Sequence, residues 1–153
     1  YGKSRAEGFG EEAKRRIMTG TYTLSAGYYD AYYKRAQKIR RLIVNEFAEV
    51  FKNVDVLLSP TCPNVAPKSG IAQHDPIFAY IADQLSVTSN LAGLPSLSVP
   101  CGFARPSDGA NIDLPVGLQI IGPQWGEERV FQVGHAFQQA TDWHKAKPKG
   151  FEA

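Results

Sequence analysis

Between residues 25 and 51 apolar and aromatic side chains recur at Tyr28, Tyr32, Ala36, Ile39, Ile43, Phe47 and Val50, in steps of three or four. That spacing lines one face of a helix, so one long helix is predicted over 25–51. At 1.5 Å per residue it would be about 40 Å long, a scaffold lying on one face of a sheet and ending at Asn53. Val130, Val133, Phe137 and Ala140 repeat the same period in 127–141, with Glu127 and Glu128 placed to favour the positive end of the helix dipole. A third, shorter helix is predicted over 11–18, acidic at its start and basic at its end, stopped by Gly20 and preceded by a bend at Gly8 and Gly10.

Elsewhere the pattern shortens. Residues 54–59 form a short apolar run closed by Pro60, which predicts a buried strand leading into a breaker-rich loop or linker over 61–70. Asp75 and Pro76 have the form of a helix start, with helix predicted over 77–85 and Tyr80 and Asp83 sharing a face. From Gln84 to Leu91 the pattern is again helical, Gly93-Leu-Pro95 breaks it, and Leu97 and Val99 then alternate with Ser96 and Ser98 as in a strand. A turn-rich segment over 103–113 separates that strand from another over 116–121, and the two are predicted to pair as a hairpin. Helices interleaved with a few strands make an α/β layer arrangement, and three or four strands are few for a sheet that stands alone.

Composition adds bounds rather than detail. One hundred and fifty-three residues, 43% hydrophobic and 21% charged, suit a single globular domain over 1–153. A net charge of +2 is too mild to imply nucleic-acid binding. Cys62 and Cys101 lie far apart and match no metal-ligand spacing, so two buried free thiols are expected in place of a disulfide. No run of about eighteen apolar residues and no signal peptide is present, which gives the expectation of a soluble cytoplasmic protein without a membrane partner. The chain opens at Tyr1 without Met, as a fragment or processed product would.

The residues offer little catalytic chemistry of their own. Ser96 and Ser98 alternate along a strand with no glycine partners and no lysine nearby, and read as strand residues. No Gly-x-Ser-x-Gly elbow accompanies His74, His135 or His144, and the spacing of the last two fits no common zinc site. Tyr28, Tyr29, Tyr32 and Tyr33 form two pairs four apart and read as packing residues. Lys34, Arg35, Lys38, Arg40 and Arg41 make the long helix basic on its outer side, either as a solvated face or as a contact for nucleic acid or another protein. Taken by spacing alone, Arg16 is a helix-end cation and Asp83 a solvated helix acid.

Three stretches change that picture. Glu7-Gly-Phe-Gly-Glu-Glu-Ala-Lys-Arg-Arg-Ile-Met-Thr-Gly-Thr-Tyr22, Asp83-Gln-Leu-Ser-Val-Thr-Ser-Asn-Leu-Ala-Gly-Leu-Pro-Ser-Leu-Ser-Val-Pro-Cys-Gly102 and Leu114-Pro-Val-Gly-Leu-Gln-Ile-Ile-Gly122 resemble, in that order, the carboxyl-terminal portion of the amidase signature family. The likeness is to the branch that supplies ammonia for tRNA-dependent transamidation of Glu-tRNA(Gln) or Asp-tRNA(Asn). It implies one end of a large mixed β-sheet flanked by helices. It also implies a glutamine amidase in a longer chain, with the catalytic lysine and two serines outside these residues and this chain inactive alone. By the same resemblance Arg16 holds the α-carboxylate of glutamine and Asp83 its α-ammonium, roles suited to a guanidinium fork and a carboxylate. Partner subunits of the B and C type would receive the ammonia and carry ATP and its metal, leaving no cofactor in this chain, and mischarged tRNA would meet the complex. Two departures stand out: Cys62 occupies a Pro-Thr-x-Pro motif where alanine is usual, and the 103–113 loop is longer than the shortest members need. The rival readings are another amidase signature hydrolase, acting on an amide without the amino acid's two charges, and a non-catalytic ligand- or partner-binding module.

Overall fold

A computed structural model describes residues 1–70, 77, 81–148 and 150. They gather into two compact units, Tyr1–Leu42 and Ile43–Ala153, with the boundary falling inside one helix.

The first unit is helical. The polar opening forms helix α1, Gly2–Gly8, and the predicted bend follows at Phe9, whose N–H closes onto the Arg5 carbonyl at 3.3 Å. Helix α2, Glu11–Thr23, begins where expected but runs through Gly20 to Thr23. Thr19 and Thr21 hydroxyls donate to the carbonyls of Arg15 and Ile17, and nothing breaks the backbone ladder at the glycine. Gly20 lowers helix propensity without removing a donor, unlike proline. The long helix begins later than predicted, at a π-helical turn over Tyr29–Tyr33, and continues as α3, Lys34–Val50. Four residues before it, 25–28, form a turn with Gly27 at φ +89°, so the α-helical part spans roughly 25 Å instead of 40. None of the residues of the first unit is buried.

The second unit holds the sheet. Strands β1 (Leu57–Pro60), β2 (Ser96–Ala104) and β3 (Leu114–Ile121) lie in the order β1-β3-β2, all neighbours antiparallel. The predicted hairpin is present as β2 and β3, with Ser98 opposite Gln119 and Val99 opposite Leu118. Strand β2 runs on past Pro100: it is an edge strand of the described sheet, where a missing N–H costs no ladder bond, and the chain continues through a bulge at Cys101. Between β1 and β2, helix α4, Val87–Ala92, ends in Gly93 at φ +72°, a left-handed cap that glycine adopts without strain. Asp75, Pro76 and Tyr80 lie outside the described residues, and Asp83 is in a turn ahead of α4 and not on a helix face.

Helix α5, Glu127–Ala140, covers one face of this sheet. Val99, Ile120 and Val130 form the buried core, with Val56, Leu97, Leu118, Val133 and Phe137 packed around them. Gly134 sits against β2 so closely that a Cβ there would fall 2.6 Å from Leu97 Cδ2. Ala140, predicted to join the apolar stripe, is exposed. Arg129 of α5 pairs with Asp55 ahead of β1 at 2.9 Å. A 3-10 turn at Trp143–Lys145 follows, its Trp143 ring meeting Phe103 of β2 edge-on. No helix among the described residues is long and apolar enough to cross a membrane.

Candidate substrate-recognition site

The predicted ligand pair falls one residue to each unit. Arg16 stands on the second turn of α2, and its side chain is 63% exposed. Its Nε donates to Glu12 Oε1 at 2.9 Å, while Arg15 Nη1 donates to the other oxygen of the same carboxylate at 2.8 Å. Glu12, one helical turn back, therefore holds two guanidinium groups with one carboxylate.

Asp83 is exposed in the second unit. Its carbonyl accepts from the N–H groups of Ser86 and Val87 at 3.0 and 2.9 Å and from the Ser86 hydroxyl at 3.2 Å. The main chain of Asp83 is thus tied to the first turn of α4, and Ser89 on that helix, 1% exposed, lies 3.4 Å from Ser96 of β2. A chain of short polar contacts runs from the Asp83 turn to the sheet.

The sheet face away from α5 is polar. Ser98 and Ser59 flank Gln119 in register from either side. Thr61, just past β1, reaches over Gly117 so that its hydroxyl lies 2.8 Å from that of Ser98. Gly117 makes that reach possible: a Cβ there would stand 2.7 Å from both hydroxyl oxygens. Gln119 is 2% exposed, and its Oε1 has no hydrogen-bond partner among the described residues. Such a group costs free energy until a donor reaches it.

Sequence spacing does not single out this row. Ser96 and Ser98 read as strand residues, which they are, but Ser98 meets Gln119 and Thr61 only once the intervening loops are closed. The local signal is the period-two alternation of Gly117 and Gln119 within an otherwise apolar strand. The row holds hydroxyls and an amide and no ionisable group, so it can position a substrate or backbone by hydrogen bonds but cannot activate a nucleophile.

The cysteines are free, as expected, but not buried: Cys62 is exposed and Cys101 half-buried at the bulge. Among the described residues no three His, Cys, Asp or Glu side chains gather to hold a metal ion. His135 is exposed on α5, and His74 lies outside the described residues.

The fold and the three sequence stretches agree with known proteins. The Amidase family model matches residues 1–131, and the chain belongs to that family. Among curated relatives, it is 57% identical to a protein of Methylobacillus flagellatus and 58% identical to one of Burkholderia cenocepacia, each over 150 residues and 98% of this chain. Both relatives are named as the A subunit of glutamyl-tRNA(Gln) amidotransferase, and the chain spans 30% of the length of each. Of solved structures, the allophanate hydrolase of Kluyveromyces lactis superposes on 83% of this chain and 19% of its own with a TM-score of 0.60 at 28% identity. A crystal structure of an amidase superposes on 90% of this chain and 30% of its own at a TM-score of 0.64 and 23% identity, a likeness of fold.

Proposed function

We propose that this chain is the glutamine-selecting portion of the A subunit of a tRNA-dependent amidotransferase. The observation that carries this is the identity of 57% and 58% over 98% of the chain with relatives of that name. Arg16 takes the α-carboxylate of glutamine in place of Glu12, and Asp83 takes the α-ammonium. The lysine and serines that hydrolyse the amide belong to the part of the relatives' length that these residues do not span. Ammonia passes to partner subunits of the B and C type, where ATP and its metal activate the carboxylate of a mischarged tRNA, in the cytoplasm. A neutral aryl or fatty amide would leave both charges unanswered, and this favours an amino-acid substrate over other amides.

The test is ammonia release from glutamine by the full-length protein in its complex. Replacing Arg16 with Ala removes a charge-assisted fork worth about 1.5–3 kcal/mol, equivalent to about a 10- to 150-fold loss in kcat/KM. The loss is expected mainly in KM, with partial recovery in Arg16→Lys, and Asp83→Asn is expected to act in the same direction. Equal kcat/KM for wild type and both variants would remove these residues from the substrate site.

A further inference from the structure

The connection between β2 and β3 carries Asp108-Gly109, the one place in the sequence where an aspartate or asparagine is followed by glycine. Glycine there has a chemical consequence. With no side chain on residue 109, its main-chain nitrogen can attack the carboxyl carbon of Asp108 and close a five-membered succinimide. The N–Cγ bond forms, a Cγ–O bond of the protonated carboxyl breaks, and the hydroxyl leaves with the amide proton as water. One water then opens the ring at either carbonyl, giving back aspartate or leaving isoaspartate, in which the main chain runs through Cγ. The water lost is the water regained, and no other reactant enters.

Nothing shields the nitrogen. Ser107, Asp108 and Gly109 are exposed, and a Cβ built on Gly109 would meet no atom within 4 Å. Exposed loop tips are where covalent change concentrates in folded proteins. What the fold does instead is occupy the reacting groups. Pro106–Gly109 is a turn in which the Gly109 N–H donates to the Pro106 carbonyl at 3.4 Å. Asp108 Oδ1 accepts from the Ala110 N–H at 3.0 Å, and Oδ2 is held by Lys68 Nζ at 2.7 Å. Cyclisation needs a carboxyl that is protonated and free to turn over the nitrogen of Gly109. A carboxylate bound on both oxygens does not turn freely, and a cation beside it favours the ionised form. The Pro106 and Ala110 contacts belong to the loop itself. Lys68 comes from the segment after β1, so its contact exists only in the folded protein.

We propose that Asp108 is a site of isoaspartate formation, and that Lys68, by holding its carboxylate, sets how fast the folded protein isomerises there. In isoaspartate the free carboxylate sits directly on Cα and the main chain gains a carbon, so the product loses the Lys68 and Ala110 contacts as they stand. The chemistry is independent of which amide the protein acts on.

The test ages the full-length protein near neutral pH and separates the aspartyl and isoaspartyl forms of the peptide containing Asp108 by liquid chromatography and mass spectrometry. In water enriched in heavy oxygen the isomerised peptide gains a solvent oxygen. Wild type is expected to convert more slowly than a synthetic 103–113 peptide. Lys68→Met is expected to convert about two- to fivefold faster than wild type, the range that an exposed ion pair allows, and Lys68→Arg to convert as wild type does. Arg105→Ala breaks the neighbouring Arg105–Asp113 pair at 3.1 Å without touching Asp108, and the wild-type rate is expected there as well. Equal rates in wild type and Lys68→Met overturn the role of Lys68, as does a wild type that converts as fast as the peptide. No isoaspartate at position 108 in either protein overturns the site. If Arg105→Ala accelerates conversion as much as Lys68→Met, loop mobility and not the Lys68 contact sets the rate, and the proposal fails.

Discussion

On the proposed reading of Arg16 as a carboxylate-binding residue, its ion pair with Glu12 at 2.9 Å is what glutamine must displace. Exposed ion pairs of this kind contribute about 0.2–1 kcal/mol, too little to hold the guanidinium against a substrate that offers two charges. Glu12→Gln is accordingly expected to lower KM for glutamine by no more than about fivefold, the equivalent of 1 kcal/mol, in the same ammonia-release assay. A second residue-level pairing responds to pH. Lys68 holds Asp108 at 2.7 Å, and the Asp108 carboxyl lies below its ordinary range, first because of that bond and then because Ala110 N–H donates to it. A lowered carboxylate contributes stability that is present above its unfolded value near pH 3.9 and is lost as pH falls through the folded value. Lys68 is shifted upward by the same contact, so its share is lost only as pH rises past the ordinary lysine range. Protection factors of the amides in the 103–113 loop, referred to the intrinsic exchange rate at each pH, are expected to stay flat from pH 5 to 8 and to fall only in acid. Loss of protection already at pH 6 would show that another group controls the loop. At Gly117 a methyl group would displace the Thr61 and Ser98 hydroxyls from each other, and Gly117→Ala is expected to cost about 1 kcal/mol, the worth of the bond, in chemical denaturation.

Two elements meet by close approach and one turn by strain. Gly134 lets α5 settle onto β2, and Gly134→Ala must push Leu97 aside within the packed core, at about 1–3 kcal/mol in the same denaturation measurement. The turn from β3 to α5 closes with Gly126 N–H donating to the Pro123 carbonyl at 2.8 Å, and places Trp125 at φ +63° with 85% of its surface exposed. A large side chain in the left-handed region costs about 1–2 kcal/mol, and asparagine tolerates it. Trp125→Asn is expected to raise the melting temperature by about 2–4 °C for each kcal/mol relieved. A lower melting temperature would show that the indole is packed against something in the full-length protein.

At the scale of the molecule, the two units differ in kind. The second has a core, though a small one, built where α5 crosses three strands. In the first, Phe9, Ile17, Met18, Tyr22 and Leu24 are all more than 40% exposed, and no residue is buried. Apolar surface on that scale marks regions that other protein covers. It fits a chain that spans 30% of the length of its relatives. Arg16 belongs to this unit and Asp83 to the second.

Periodicity in the sequence determined where β2, β3 and α5 would lie and most of the side chains they bury. Leu97, Val99, Val130, Val133 and Phe137 carry that information locally, because hydrophobic burial follows side-chain spacing. The three motif stretches determined the family for a similar reason, since they are contiguous. The tertiary structure decided what depends on residues far apart: β2 surviving Pro100 because it lies at an edge, Gln119 set between Ser59 and Ser98, and Thr61 reaching across Gly117. Helix starts also escaped the sequence, as at Tyr29 and at α1, because termini are set by turn geometry and single hydrogen bonds worth about as much as the propensities that compete with them.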